Sequence, residues 1–358
     1  MMTPRRVVGL LVAAAVIIAV GFWASSRHAS DVVATGEPVL AGLKAAVNDV
    51  TEVRLAKGDG THVTLKKTPT AWTLVEREYP ADSGKVRKLL LDLGSLEVVE
   101  EKTSDPASYA KLGVEDVSSA KATGTRVEAV TPKKVYGVVV GRFAGMKSSY
   151  VRPTDGPKSY LASPSITADA DPKQWLARDL LDIPQARIKD VAIKPASGPE
   201  YSVSREKKEQ TDFNVSNIPK GRELTAPSAG NTVAGELASF TLDDVRKLPA
   251  DAKPEATATF HTFDGLELQI AGQKDGDRRY VSITPRSTAK ETESEAKTLA
   301  DRVTGWQYEI PSYKYDALFR PLDELLKKPE PKEEKKKEDK KKASSEKKPA
   351  ASTAAPTS

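Results

Sequence analysis

The chain contains no cysteine among its 358 residues and only three histidines, His28, His62 and His261. A protein without cysteine has no disulfide, no cysteine nucleophile and no iron–sulfur cluster. No second histidine stands near His62 or His261 to complete a metal site. The Gly-x-Ser-x-Gly motif of many serine hydrolases is also missing. We therefore expect a protein that is not an enzyme and that holds no metal and no cofactor.

Basic residues exceed acidic ones only locally. The chain has 55 Lys and Arg against 50 Asp and Glu, a formal net charge of +5. Residues 327–348 contain 11 Lys against 6 acidic residues, and Arg5, Arg6 and Arg27 lie near the other end. The remainder is slightly acidic and would not attract a polyphosphate. We therefore expect no nucleic-acid partner.

Long hydrophobic runs are scarce, and a single one stands out. From Val7 to Ala24 every residue is apolar or Gly, a run that covers ~27 Å as a helix and is just sufficient to cross a bilayer. Arg5 and Arg6 precede it, so the positive-inside rule places residues 1–6 in the cytoplasm. This pattern predicts a single-pass inner-membrane protein, with an anchor over residues 7–25 and the bulk of the chain periplasmic or otherwise extracytoplasmic. A signal peptide cleaved near Ser25 is the alternative.

The C-terminal tail, residues 327–358, has no aromatic residue and consists mainly of Lys, Glu, Pro, Ala, Ser and Thr. Such a segment buries too little apolar surface to offset the entropy lost on ordering, so we expect it to be disordered. One interpretation is a solubilising extension. The other is a weak contact of the Lys-rich tail with anionic lipid or cell wall.

Between a linker (residues 26–43) and the tail, hydrophobic positions recur and predict one module written twice, over residues 44–184 and 185–326. Val53 and Leu55 return as Val191 and Ile193, shifted by 138 positions. Further matches at shifts between 131 and 147 pair Val86, Leu90 and Leu93 with Val233, Leu237 and Phe240, then Val135, Val139 and Gly141 with Leu266, Ile270 and Gly272, and finally Trp175 with Trp306.

Each copy predicts the same order of elements. A hairpin with a Gly58-Asp59-Gly60 turn comes first, then a strand with Trp72, then an amphipathic helix capped by Asp82 or Ser83, or by Asn231 or Thr232 in the second copy. More strands follow, and a short helix from Asp171 to Leu181 closes the first copy. The predicted class is α+β: two related, mostly antiparallel-sheet modules, each with a packed helix, after a transmembrane helix and before a disordered tail.

Aromatic residues recur at related positions of the two copies. The placement of Trp72, Trp175 and Trp306 favours packing within the modules over stacking on a ligand. The aromatic-rich segment before the tail contains three candidate partner-docking residues, Tyr308, Tyr313 and Tyr315. A strand end that packs on the second module explains the same segment equally well.

Several short motifs carry a resemblance to a known family. They are Val50-x-x-Val53-x-Leu55, Trp72-x-Leu74, Tyr79-Pro80-Ala81-Asp82, Leu112-Gly113-Val114, Val139-Val140-Gly141, Tyr150-Val151-Arg152 and Arg178-Asp179-Leu180. Over about residues 44–325 the chain resembles an uncharacterised, membrane-anchored bacterial family, the domain of unknown function 4340. The resemblance implies an extracytoplasmic protein encoded beside ABC-transporter components of the gliding-motility type. It supplies no catalytic residue.

These observations lead to a functional expectation: a non-enzymatic, membrane-anchored extracytoplasmic scaffold or accessory subunit of an ABC-transporter-type envelope complex. Its partner would be a transporter permease or another envelope subunit. The alternative is a periplasmic module that binds fragments of cell-envelope polysaccharide or peptidoglycan, and a hydrolase is a third hypothesis. Exposed tryptophans in a cleft would favour ligand binding.

Overall fold

A computed structural model describes residues 35–328. The predicted anchor over residues 7–25 and all but the first two residues of the predicted tail lie outside this range. Between residues 35 and 328, no helix has both the length and the apolar character needed to cross a bilayer. The fold divides after Arg178 into two compact units, called unit 1 (residues 35–178) and unit 2 (residues 179–328).

Unit 1 is built on a nine-stranded antiparallel sheet. Its strands are β1 (Glu52–Lys57), β2 (His62–Lys67), β3 (Trp72–Leu74), β4 (Tyr79–Pro80), β5 (Glu97–Thr103), β6 (Thr125–Val130), β7 (Val135–Phe143), β8 (Ser149–Pro153) and β9 (Ser159–Ser163). The strand order is β4-β3-β2-β1-β6-β7-β8-β9-β5. The helices are α1 (Leu43–Ala46), α2 (Ser83–Gly94) and α3 (Tyr109–Leu112).

The long helix of unit 1, α2, begins where the sequence predicts. Asp82 is its N-cap, and the carboxylate accepts hydrogen bonds from the backbone N–H groups of Gly84 at 2.9 Å and Lys85 at 3.0 Å. Four apolar residues at helical spacing are buried: Val86, Leu89, Leu90 and Leu93. The cap satisfies amides that have no partner in the first turn, and the buried stripe packs the helix on its unit. The predicted helix and its Asp82 cap are confirmed.

Unit 2 contains an eight-stranded and a two-stranded antiparallel sheet. Its strands are β10 (Asp179–Leu181), β11 (Ile188–Lys194), β12 (Tyr201–Ser204), β13 (Asn214–Val215), β14 (Phe240–Thr241), β15 (Asp244–Lys247), β16 (Ala256–Thr262), β17 (Leu266–Asp275), β18 (Arg278–Ser287) and β19 (Trp306–Glu309). The orders are β13-β12-β11-β16-β17-β18-β19-β15 and β10-β14. The helices are α4 (Asn231–Ala234), α5 (Glu293–Val303), α6 (Ser312–Leu318) and α7 (Leu322–Leu325).

The two large sheets share one strand order. Eight strands of unit 1, β3-β2-β1-β6-β7-β8-β9-β5, follow the sequence that β13-β12-β11-β16-β17-β18-β19-β15 follow in unit 2. The α+β class with mostly antiparallel sheets is confirmed. A module present twice would produce this shared strand order. The shared order also assigns each of these strands a counterpart in the other unit.

The register of these counterparts differs by one residue from the predicted match on β7. Val127 of β6 lies opposite Val138, and Ala258 of β16 lies opposite Ile270. Val127 also lies opposite Leu55, and Ala258 lies opposite Ile193, the predicted match of Leu55. Val127 and Ala258 therefore correspond, and Val138 is the counterpart of Ile270. The predicted match of Val139 with Ile270 is therefore wrong.

A slip of one residue along a strand moves every side chain to the opposite face of the sheet. Val139 accordingly packs against Tyr109 and Val114, in a small cluster that covers this face of unit 1. The sequence predicts that these two strands end at Gly141 and Gly272. In the structure, β7 extends beyond Gly141 and β17 extends beyond Gly272.

The predicted helix of the second copy is reduced to one turn. Helix α4 covers only Asn231–Ala234 and is followed by Gly235, a poor helix former. The Asn231 side chain does not cap it and instead accepts a hydrogen bond from the backbone N–H of Phe213 at 2.9 Å. Leu237 and Phe240 are buried, but neither lies on a helix.

The predicted helix from Asp171 to Leu181 is also wrong. The chain forms a 3-10 turn over Pro172–Trp175 and then strand β10. Trp175 lies in this turn after β9, whereas Trp306 begins β19, the counterpart of β9. The predicted match of Trp175 with Trp306 therefore fails.

Candidate functional site

Two of the three candidate docking tyrosines belong to the interior of unit 2. Tyr308 is fully buried on β19, opposite Val245 and Val281. Tyr315 of α6 is also buried; its hydroxyl donates to Glu255 Oε1 at 2.8 Å, and its ring stands edge-on to Phe319 with centroids 4.7 Å apart. These contacts favour the packing interpretation for both residues.

The third tyrosine, Tyr313, is presented to solvent by the same helix. Its side chain is 72% exposed. The next residue, Lys314, forms an ion pair with Glu236 Oε2 at 3.2 Å and donates to the Glu236 carbonyl at the same distance. Tyr315 and Lys314 thus hold α6 on unit 2 while Tyr313 points outward. The candidate docking surface reduces to Tyr313.

Of the three tryptophans within residues 35–328, two are buried and the third has a lysine over its ring. Trp72 and Trp175 are buried, and the Trp175 indole N–H donates to the Asp169 carbonyl at 2.7 Å. Trp306 is partly exposed, but the ammonium of Lys247 lies 3.7 Å from its ring centroid. An indole that stacks on a sugar needs one free face.

A row of polar and charged side chains crosses four strands of unit 2. Asp190, His261, Glu267 and Arg286 lie opposite one another on β11, β16, β17 and β18. His261 Nδ1 is 2.7 Å from Asp190 Oδ1, and His261 Nε2 is 3.5 Å from Glu267 Oε2. Within residues 35–328, no group of three or more metal-ligating side chains has the geometry to hold a metal ion. The row is a set of polar side chains paired across neighbouring strands, and such pairs stabilise a sheet.

Sequence reasoning missed Arg205, which is 6% exposed and closes one corner of unit 2. Its guanidinium donates hydrogen bonds at 2.8 to 3.2 Å to five backbone carbonyls, those of Gln185, Ala186, Ile188, Lys208 and Gln210. A buried cation is tolerated when its donors are all used. The carbonyls belong to the turn before β11, to the first residue of β11 and to the loop after β12, so Arg205 holds these three segments together. No local pattern in the sequence indicates this role.

Three titratable groups of unit 2 whose pKa is raised have partners within that unit. Burial raises the pKa of Tyr201, whose hydroxyl donates to the Arg320 carbonyl at 2.8 Å. Burial likewise raises the pKa of Tyr315. Hydrogen bonds to Glu295 raise the pKa of Arg187, which also binds Asp264 at 2.9 Å.

One cleft of unit 1 combines an apolar wall with two cations. It has a volume of about 280 Å³ and lies beside α2, between Lys85, Lys88 and Trp175. Both cations already have partners, since Lys85 donates to the Gln174 carbonyl at 2.9 Å and Lys88 to Asp92 Oδ2 at 2.6 Å. The cleft therefore has room and an apolar surface for a ligand, but both of its lysines already bind groups of unit 1.

Comparison with known proteins assigns the chain to a family. The family model described as a domain of unknown function, DUF4340, matches residues 72–262. This range runs from β3 of unit 1 to the end of β16 in unit 2 and covers more than half of the chain. No curated protein and no solved structure matches the chain. By this match, the chain belongs to the DUF4340 family.

Proposed function

We propose that this protein is a membrane-anchored, extracytoplasmic scaffold or accessory subunit of an envelope complex of the ABC-transporter type. Residues 7–25 would hold it in the inner membrane, with the two units on the far side. The partner would be a polytopic transporter subunit. Anchoring raises the local concentration of the units beside other membrane proteins, so a weak interface is sufficient for assembly.

The observation that carries the proposal is the presentation of Tyr313. A tyrosine that is 72% exposed sits on a helix fixed by the buried Tyr315 and by the ion pair of Lys314 with Glu236. Tyrosine is among the residues that dominate binding energy at protein interfaces, because it supplies a large contact area with little conformational entropy to lose. A rigid support reduces that loss further.

The interior groups of unit 2 support a binding role over a catalytic one. Arg205, Tyr201 and Tyr315 each have a polar partner inside their own unit. These buried groups stabilise the fold of unit 2, so its exposed surface is the part that would contact a partner. The alternative, a module for envelope polysaccharide or peptidoglycan fragments, is weakened by the burial of Trp72 and Trp175.

The proposal is tested by photo-crosslinking in native membranes. A benzophenone amino acid replaces Tyr313 in the full chain, and the irradiated adducts are identified by mass spectrometry. We expect a polytopic transporter subunit as the main adduct. The matched control places the same probe at Asp277, which is exposed at the turn between β17 and β18, and should trap that subunit much less.

A main adduct at Tyr313 that is a soluble protein, or no adduct beyond the protein itself, would contradict the proposal. Substitution of Tyr313 by Ala provides an independent readout. It should reduce recovery of the transporter subunit in an affinity pull-down while leaving the fold intact, since Tyr313 contributes little to the interior of unit 2.

A further inference from the structure

The turn that joins β7 to β8 carries the most exposed large apolar side chains of unit 1. Phe143 is 61% exposed and Met146 is 93% exposed. Arg142 and Lys147 flank them and are exposed as well. We call residues 142–147 the β7–β8 tip. Ordinary hairpin turns are made of polar residues and glycine, so the fold itself does not explain this composition.

The corresponding turn of unit 2 shows what the fold requires at this position. Strands β17 and β18 are the counterparts of β7 and β8, and they are joined by the polar turn Gly276-Asp277. Lys274, Asp275 and Arg278 flank that turn, and it carries no large apolar side chain. Corresponding strands are therefore joined by an apolar tip in unit 1 and by a polar turn in unit 2.

We propose that the β7–β8 tip inserts into the interface of the anchored membrane, with Phe143 and Met146 among the acyl chains and with Arg142 and Lys147 at anionic headgroups. Apolar side chains flanked by cations are the combination that binds an anionic lipid surface. The tip has no acidic residue to oppose this contact, because residues 141–153 contain none.

The position of the tip agrees with a membrane contact. Ser149, which begins β8, lies opposite Ala162; the next residue, Ser163, lies opposite Glu97, and Glu97 forms a bridge with Pro38. The tip and Pro38 thus lie at the same end of the sheet, separated by three strand spacings, roughly 15 Å. From Pro38 back to Gly36 the chain runs beside the first residues of β5.

The length of the linker limits how far this end of the sheet can move from the bilayer. Ten residue steps separate the end of the predicted anchor from residue 35, which allows at most roughly 35 Å. The inference rests on the proposed function in this respect, because the anchor is part of that proposal. A tethered apolar tip also needs only a small intrinsic affinity to insert.

The absence of cysteine makes a direct test possible. Met146→Cys in the full chain gives a single thiol for an environment-sensitive fluorophore. The labelled protein is reconstituted in vesicles of phosphatidylcholine with phosphatidylglycerol. We expect blue-shifted emission, quenching by lipids with brominated acyl chains and protection from aqueous iodide. The same label at Asp277→Cys is the matched control and should show none of these effects.

Two further variants test the chemistry of the contact. In the Met146→Cys background, Phe143→Asp should return the label to water. Lys147→Gln should lower the ratio of inserted to free tip about fivefold in vesicles that contain phosphatidylglycerol, the factor for one cation at an anionic surface. The same substitution should have little effect in phosphatidylcholine alone.

A label at position 146 that is as accessible to iodide as the label at position 277 would overturn the inference. Protection found only in native membranes, with a crosslink to a protein, would also overturn it and assign the tip to a protein partner. If the chain floats with vesicles and crosslinks through Tyr313 while the tip stays in water, the inference fails alone. If the full chain does not float with vesicles, the anchor and the inference fail together.

Discussion

The guanidinium of Arg205 lies over the ring of Phe213, with its central carbon 4.7 Å from the ring centroid. The N–H groups of the same guanidinium all donate to backbone carbonyls, so a single side chain holds together the turn before β11, the start of β11 and the loop after β12. Unit 2 depends here on one cation with no carboxylate partner, and replacement by a lysine cannot reproduce the five hydrogen bonds.

We predict that Arg205→Met destabilises unit 2 by about 3 kcal/mol, because the substitution leaves buried carbonyl oxygens without donors. Arg205→Lys should cost less, since one ammonium restores part of the bonding. The measurement is hydrogen exchange of the β11 and β12 amides in the full chain. The control is Arg126→Met in unit 1, where Arg126 makes a partly exposed ion pair with Glu128 at 3.4 Å; its cost, measured on the β6 and β7 amides, should be less than about 1 kcal/mol. Equal losses for the two sites would contradict this role of Arg205.

A second prediction concerns the N-cap of α2. Asp82→Ala removes the acceptor of the Gly84 and Lys85 amides and should cost about 1 kcal/mol, whereas Asp82→Asn keeps an acceptor and should cost much less. Exchange of the first-turn amides of α2 reports the loss directly. If alanine and asparagine had the same effect, the charge at this position would matter more than the hydrogen bonds.

The buried tyrosines of unit 2 predict a loss of stability at high pH. Tyrosine ordinarily has a pKa near 10.0, and burial raises the pKa of both Tyr201 and Tyr315. Above pH 10 the unfolded chain loses the phenol proton while the folded chain keeps it. The free energy of unfolding therefore falls as pH rises from about 10 and is constant, as far as these groups are concerned, below that value.

Unfolding by urea at several pH values between 8 and 12 measures this effect. The double variant Tyr201→Phe, Tyr315→Phe should be less sensitive to pH above 10 than the natural protein. Tyr313→Phe is the control for the loss of a tyrosine hydroxyl. A double variant with the full sensitivity of the natural protein would show that other groups govern unfolding in alkali.

The predictions that the structure confirms concern elements specified by residues close together in the chain. The turn at Gly58-Asp59-Gly60 joins β1 to β2 as expected, with Gly60 at a φ of 88° that favours glycine. Asp82 and the apolar stripe behind it specify α2 in the same way. In the second copy the predicted helix is too long, because Leu237 and Phe240 are buried without lying on a helix. Apolar spacing alone does not distinguish a helix from another buried segment.

Other features depend on residues far apart in the chain. Residues 138–140 are all valine and give no alternation from which to fix the register of β7, so the face of Val139 follows only from packing on Tyr109 and Val114. The difference between Tyr313 and Tyr315 depends on the way α6 lies against Glu255. The candidate surface was therefore located by sequence only to a segment, and the structure reduces it to one side chain.

The side of the membrane on which the two units lie tests the account most directly. Single cysteines at Asp277 and at Thr3, in separate full-length chains, are treated in intact spheroplasts with a maleimide that does not cross membranes. The account predicts labelling at position 277 and none at position 3 until the membrane is opened. Labelling at position 277 only after lysis would place the units in the cytoplasm and contradict the account.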